Sequence, residues 1–295
     1  MTFGSHCLLC IATAAIATAG HAATPSVPEF APNPAVSWIA LTGKLEPLSA
    51  GAGPVQDDPA FPQVTNDEFR ATGRQPTQPI ADLNNPILQP WAREEVRKYN
   101  ALARADKALS PGTSCWPMGV PAVFLRRIQP LFFIQAHDKV LMVSQPNHEV
   151  RHIYLTDRHS ENVKPSWYGE SIGHYEGDEL VVDTVGMTTK TYIDDFYTPH
   201  TDRLHVVEHV RMTDGGNRLE IRLQVEDPGA FTMPWNAIIR FRRVEPGRAE
   251  NTAATSAVTA ARPAGPLLEV NCAENPFSYF GDQSRPIPQA TKLDF

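Results

Sequence analysis

The sequence predicts an all-β protein: an up-and-down antiparallel barrel with a proline-rich N-terminal arm and one short helix. Three observations lead there. From Leu131 onward the apolar pattern has period two, glycine- and asparagine-bearing turns separate the runs, and no helical segment lies between them. A two-sheet sandwich is the alternative arrangement of the same strands.

Residues 5–23 form an alanine-rich apolar run without Lys or Arg, ending with Gly20 and Ala22 where a signal peptidase reads small side chains. A leader of residues 1–22 and a periplasmic or secreted protein are expected. The run is too short for a stable membrane span. Residues 23–90 carry prolines every few positions, among them Pro25, Pro28, Pro32, Pro34, Pro47, Pro54, Pro76 and Pro79. That density predicts an extended or irregular arm with no central strand and no long helix. A helix is predicted over 91–110: Pro90 suits a first turn, Trp91, Val96, Tyr99 and Leu102 recur near helical spacing, and Ser110-Pro111-Gly112 stops the run.

The barrel domain is expected over 111–280, with strands at Leu131–Ala136, Val140–Gln145, Val150–Thr156, Ser171–Tyr175, Leu180–Val185, His205–Met212, Arg218–Glu226, Trp235–Val244 and Leu267–Asn271. Glu176-Gly177-Asp178 and Asp214-Gly215-Gly216-Asn217 read as hairpin turns, and Asp227-Pro228-Gly229 as a further turn. Residues 249–266 have low complexity and read as a flexible loop, and 281–295 as a tail.

A chain of 295 residues with this distribution has material for one good core. Its net charge of −7 and its lack of a basic cluster argue against nucleic acid as a partner. Without the leader, Cys115 and Cys272 remain, an even pair in an oxidising compartment, and a disulfide is the natural reading. Closing so long a loop is worth on the order of 4 kcal/mol in the chain-entropy account. A catalytic thiol is the competing reading.

Strand alternation also says which side chains face inward. Leu219, Ile221, Leu223 and Val225 share one face of their strand, and Trp235, Ala237, Ile239 and Phe241 share one face of the next. Applied to Leu204–Met212, the rule sets Glu208 in an apolar row with Leu204, Val206, Val210 and Met212. A buried carboxylate needs a partner or a raised pKa. It is then either the polar handle of a ligand pocket or half of a structural ion pair, for instance with Arg151.

The histidines outside the leader all lie between His137 and His209. Three clusters hold the candidate chemistry: Arg151 to His159, Ser171 to Asp178, and His200 to His209. Each sets an imidazole near a carboxylate or hydroxyl, as general acid/base catalysis requires. His205 and His209 are four apart on a strand, about 13 Å, too far to chelate one ion. There is no nucleophile elbow, P-loop or dinucleotide fingerprint, so no cofactor is expected, a divalent metal on His159, His200 and His205 being the minor alternative.

Cys115-Trp116-Pro117-Met118-Gly119, Pro165-Ser166-Trp167, Ser171-Ile172-Gly173-His174-Tyr175-Glu176-Gly177-Asp178 with Glu179 to Thr184, His200 to Glu208, and Cys272-Ala273-Glu274-Asn275 occur in this order. The order resembles a large family of exported bacterial proteins, abundant in proteobacteria and acidobacteria, over about residues 86–280. Tyr175 stands where the family has tryptophan, and Thr156-Asp157-Arg158-His159 is shorter than the family's corresponding loop. The resemblance implies a lipocalin-like barrel closed by two cysteines, and it supplies no reaction. By residue match it directs attention to Arg151, Tyr154, Asp157, His159, Trp167, His174, Glu176, Asp183, His200, His205 and Glu208.

The expected function is cofactor-independent proton transfer on a small hydrophobic or aromatic molecule, of lyase, hydratase or isomerase type. Glu208 and one of His205, His200 or His174 are the expected acid/base pair, with Asp157 and His159 as further candidates. Arg151 and Tyr154 are expected to stabilise developing negative charge, and Trp167, Asp183 and Glu176 to bind the substrate. A small-molecule carrier without turnover is the alternative from another class.

Overall fold

The computed structural model describes residues 1, 27–105, 107–108, 115–125, 130–145 and 149–245. The expected leader, Leu267–Asn271 strand, loop and tail lie outside them. Among the described residues nine strands close into a barrel: β1 (Ser37–Ala40), β3 (Leu131–Gln135), β4 (Lys139–Ser144), β5 (Glu149–Tyr154), β6 (Glu170–Glu176), β7 (Glu179–Val185), β8 (His205–Thr213), β9 (Arg218–Glu226) and β10 (Trp235–Val244). The ring shuts where β1 pairs with β10, and a two-residue strand, β2 (Glu46–Pro47), lies beside β10. The barrel expected from the sequence is therefore the fold.

Two expectations are corrected. The first concerns the arm, which supplies a barrel strand: β1 sits between β10 and β3, pairing Ser37 with Val244 and Trp38 with Leu131. Residues 35–46 contain no proline, so the ladder can form between Pro34 and Pro47. The arm also holds a short helix, α1 (Asn66–Thr72), capped by the Thr65 side chain on the Glu68 N–H at 3.2 Å.

The second concerns strand direction. β5 and β6 run parallel, joined through Ile153 with Ser171 and Tyr154 with Ile172, whereas the other neighbouring pairs are antiparallel. A parallel pair cannot be joined by a hairpin. Residues 155–169 instead make a strap that returns beside the segment after β7: the Ser166 N–H donates to the Gly186 carbonyl at 3.0 Å and the Thr188 N–H to the Ser166 carbonyl at 2.8 Å. Gly186 has φ +71, and a β-carbon there would lie 2.3 Å from Val163, so the strap lies close against it.

The hairpins follow turn chemistry. β6 and β7 meet through Gly177-Asp178, with Gly177 at φ +61, and β8 and β9 through Asp214-Gly215-Gly216 and Asn217. The helix α2 (Pro90–Arg104) begins on Pro90 as expected and ends earlier than expected. Its buried stripe is Ala92, Val96, Tyr99, Asn100 and Ala103, while Trp91 and Leu102 are exposed. Asn100 tolerates burial because its amide exchanges two 2.9 Å hydrogen bonds with the Ala81 backbone, tying the arm to the helix.

The barrel interior is a packed core. The rows read from alternation, Leu219 to Val225 and Trp235 to Phe241, are buried in one cluster with Met142, Ile153, Leu180, Val182, Val206 and Val210. Burial of this kind contributes about 25 cal/mol per Å² of apolar surface. No described helix is long and apolar enough to cross a membrane.

Candidate functional site

The expected site residues divide between the two faces of the barrel wall. Side chains an even number of positions apart on a strand share a face, and those an odd number apart do not. Glu208 points inward while His205 points outward, and Arg151 points inward while Tyr154 points outward. The expected Glu208–His205 and Arg151–Tyr154 partnerships are thereby separated, a correction that comes from the strand period itself.

The inner group is a buried polar knot. The Arg151 guanidinium donates from Nη1 to Glu208 Oε2 at 2.8 Å, from Nη2 to Thr184 Oγ1 at 2.7 Å and from Nε to Ser171 Oγ at 3.1 Å. Ser171 and Thr184 hydroxyls lie 3.0 Å apart, as their cross-strand pairing on β6 and β7 requires. Glu208 is fully buried and Arg151 is 2% exposed. Glu208 Oε1 has no hydrogen-bond partner among the described residues. A charge pair enclosed in this way is held by mutual attraction and hydrogen bonds against a large desolvation cost. The ion-pair alternative for Glu208 is what the geometry presents. A recess lined by Phe124, Met142, Ser144, Glu149, Arg151 and Tyr168 reaches the knot and is too narrow to admit a water molecule as it stands.

The outer group is half-exposed. His205 on β8 and His159 on the strap both direct Nε2 at Asp183 Oδ1 on β7, at 3.0 and 2.9 Å. His159 Nδ1 lies 3.1 Å from Glu170 Oε1, and Glu170 also accepts from the Ser160 N–H at 2.7 Å and the Ser160 hydroxyl at 2.6 Å. Carboxylates only accept, so His159 donates on both sides when both its nitrogens carry protons.

The titration of this group follows from those contacts. The hydrogen bond to Asp183 holds the His205 pKa above its ordinary value, against partial burial. Partial burial opposes the charged form of Asp183, but the hydrogen bonds from His205 and His159 outweigh it and its pKa is lowered. The Ser160 hydroxyl, helped by the Ser160 N–H and His159, lowers the Glu170 pKa.

With Nε2 committed to Asp183, His205 has Nδ1 left to exchange a proton, the arrangement of an oriented general base or acid. On the same outer face, Ile172 and Val207 are the cross-strand partners of Asp183, with Tyr154 next to Ile172.

The remaining candidates are dispersed. His200 is buried, with Nδ1 2.8 Å from the Thr201 carbonyl and Nε2 2.8 Å from the Thr191 hydroxyl. Burial lowers its pKa, so the neutral ring donates from Nδ1 and accepts from Thr191. His174 and Glu176 pair at 2.7 Å on the exposed end of β6. Tyr154 stacks near His152 with ring centres 6.0 Å apart, and Trp167 is tilted on Trp116 at 5.7 Å. Asp157 is exposed on the strap. The metal trio His159, His200 and His205 is not gathered, and among the described residues no three His, Cys, Asp or Glu side chains are placed to hold a metal ion. Cys272 lies outside the described residues.

Sequence reasoning set Ser171 in a candidate cluster without a role of its own and left Thr184 and Glu170 out of the site. Ser171 and Thr184 were findable, because alternation sets them on the inner face with Gly173 and Val182. Glu170 was not, since its role depends on where the strap crosses the wall. No family model, no curated protein and no solved structure matches this chain.

Proposed function

We propose that this chain is an exported, cofactor-independent enzyme that moves protons on a small hydrophobic or aromatic molecule, with its site on the outer wall. His205 is the acid/base group, Asp183 orients it, and His159 and Glu170 hold Asp183 in place. The observation that carries the reading is His205 Nε2 at 3.0 Å from Asp183 on a ring about one-third exposed. Ile172, Val207 and Tyr154 give the apolar body of a substrate a place to lie. A lyase, hydratase or isomerase step fits one positioned base that can return its proton. The leader, the Cys115–Cys272 disulfide and membership of the exported family belong to the same proposal. Cys115 being disulfide-bonded supports that pairing.

The test is turnover of a panel of small aromatic and terpenoid compounds by the full chain, with His205→Gln and Asp183→Asn as variants and circular dichroism as the control for folding. Loss of rate by about 10²-fold or more in folded His205→Gln is expected. Full activity in that variant overturns the assignment.

A further inference from the structure

We propose that Asp194 is a latch worked by a proton: as a neutral acid it closes the loop 193–198 on α2, and loss of the proton loosens that closure. The carrying observation is a buried carboxyl group without a cation. Asp194 is 6% exposed, and the groups it meets are neutral donors of its own loop. Its Oδ1 accepts from the Phe196 N–H at 2.9 Å and the Thr198 N–H at 3.1 Å, and its Oδ2 lies 2.8 Å from the Thr198 hydroxyl. In the barrel core Glu208 is answered by Arg151, whereas among the described residues no Lys, Arg or His pairs with Asp194.

The neutral acid keeps all three contacts. Oδ1 still accepts both N–H groups, and a proton on Oδ2 is donated to the Thr198 oxygen, so that hydrogen bond survives with its direction reversed. The ionised form has the same neighbours and a charge withdrawn from water, with a second carboxylate, Asp195, next in the chain. Burial is the main cause that pushes the Asp194 pKa up from 3.8 to about 7, and Asp195 adds to it against the hydrogen bonds. Tyr99 faces this pair of acids from α2, and burial, then Asp195, raise its pKa so that the phenol stays neutral. His200, further along the chain, has Nδ1 at the Thr201 carbonyl and Nε2 at the Thr191 hydroxyl.

The closed loop grips α2. The Ile193 N–H donates to the Thr198 carbonyl at 3.0 Å and the Tyr197 N–H to the Asp194 carbonyl at 3.2 Å. That closure sets Tyr197 at φ +60, a left-handed backbone that a bulky side chain seldom adopts. From there Tyr197 stacks on Tyr99 with ring centres 4.0 Å apart, and Tyr192 lies 4.8 Å from the Tyr197 ring. Tyr99 is buried in one cluster with Ile80 of the arm and Ala103 of α2. Strain of this kind persists only while its surroundings impose it, so opening the loop also frees the tyrosine stack.

Opening returns Asp194 to water and to its ordinary pKa of 3.8, so between that value and about 7 opening releases a proton. Closure is fully favoured below 3.8, weakens as pH rises, and levels off above about 7. The latch is tight in acid and slack at neutral pH. It does not depend on the enzymatic reading, and its test uses no activity.

Amide exchange of the full chain is followed by NMR from about pH 5 to 8 and corrected for the intrinsic pH dependence of exchange. Opening at the Phe196 and Thr198 amides is expected to rise at least about tenfold between pH 5 and 7 and then level off, with β8 and β9 unchanged. Asp194→Asn keeps the neutral shape, its amide donating to Thr198, and its opening is expected to be independent of pH. A flat profile in the unmutated chain, a rise shared by all strands, or the same rise in Asp194→Asn overturns the proposal. Titration of the Asp194 carboxyl carbon in the unmutated chain gives the second measurement. A midpoint above about 6 is expected, and one at or below that value overturns the latch as well.

Discussion

The inner and outer faces of β5 to β8 each hold a carboxylate among basic groups, and the two behave as opposites. Inside, Glu208 meets an arginine that also donates to Thr184 and Ser171, and both charged side chains are buried. Outside, Asp183 meets two imidazoles that water can reach. An arginine keeps its charge at any ordinary pH, so the inner pair is a fixed element of the core. An imidazole changes charge near neutrality, so the outer group can take part in a reaction. Solvent access, more than residue type, separates architecture from chemistry in this wall.

The largest expected effect comes from breaking the inner pair on one side. Glu208→Ala leaves Arg151 buried and unpaired, and urea unfolding is expected to show a loss of about 3–5 kcal/mol. Replacing both, Arg151→Met with Glu208→Leu, is expected to recover most of that stability, because the desolvation cost disappears with the charges. A double variant as unstable as the single one would mean that the pair stabilises beyond what packing can replace.

Asp183→Asn sharpens the contrast. Asp183 is 38% exposed and its partners His205 and His159 are 35% and 21% exposed, so the stability change is expected to stay within about 1 kcal/mol. The readout is titration of the His205 ring by NMR. Its midpoint is expected to fall, because the carboxylate that favours its charged form is gone. An unmoved midpoint would remove Asp183 as the orienting group.

Stability against pH tests the same pair without mutation. The folded pKa of His205 lies above its ordinary 6.5, so its contribution is complete below that value and is lost as pH rises through the folded midpoint. The folded pKa of Asp183 lies below its ordinary 3.8, so its contribution is present above that value and is lost as pH falls through the lower folded midpoint. The pair is expected to contribute most between about pH 4 and 6.5, and a wild-type-minus-Asp183→Asn difference curve would show it.

The smallest effect is expected in the ladder on β8 to β10. There Glu220 lies between Arg211 at 3.1 Å and Arg240 at 3.3 Å, and the latter also reaches Glu46 at 2.6 Å. Glu220→Gln is expected to cost no more than about 1 kcal/mol, and less at high salt. A larger loss would show that this outer ladder, too, holds the barrel together.

Much of this was legible in the sequence because a half-buried strand records its own register. The rows of β9 and β10 and the inward turn of Glu208 follow from period two, and so does the separation of Glu208 from His205. β1 was hidden because all four of its residues, Ser37–Ala40, are buried, which erases the alternation, and because prolines flank it. The outer site was half legible: Asp183 and His205 lie on neighbouring strands, but His159 reaches them on a strap whose path is a property of the whole ring. Glu170 was missed for the same reason.

The odd number of strands in that ring has a consequence of its own. Directions that alternate around a closed circle must return to their starting sense, which nine cannot do, so at least one neighbouring pair has to run the same way. The β5–β6 pair meets that arithmetic. It also obliges a loop to travel the length of the wall, where hairpin loops stay at the rims. A loop histidine can then lie against an aspartate in mid-strand, so the parity of the barrel gives a half-open carboxylate its second imidazole.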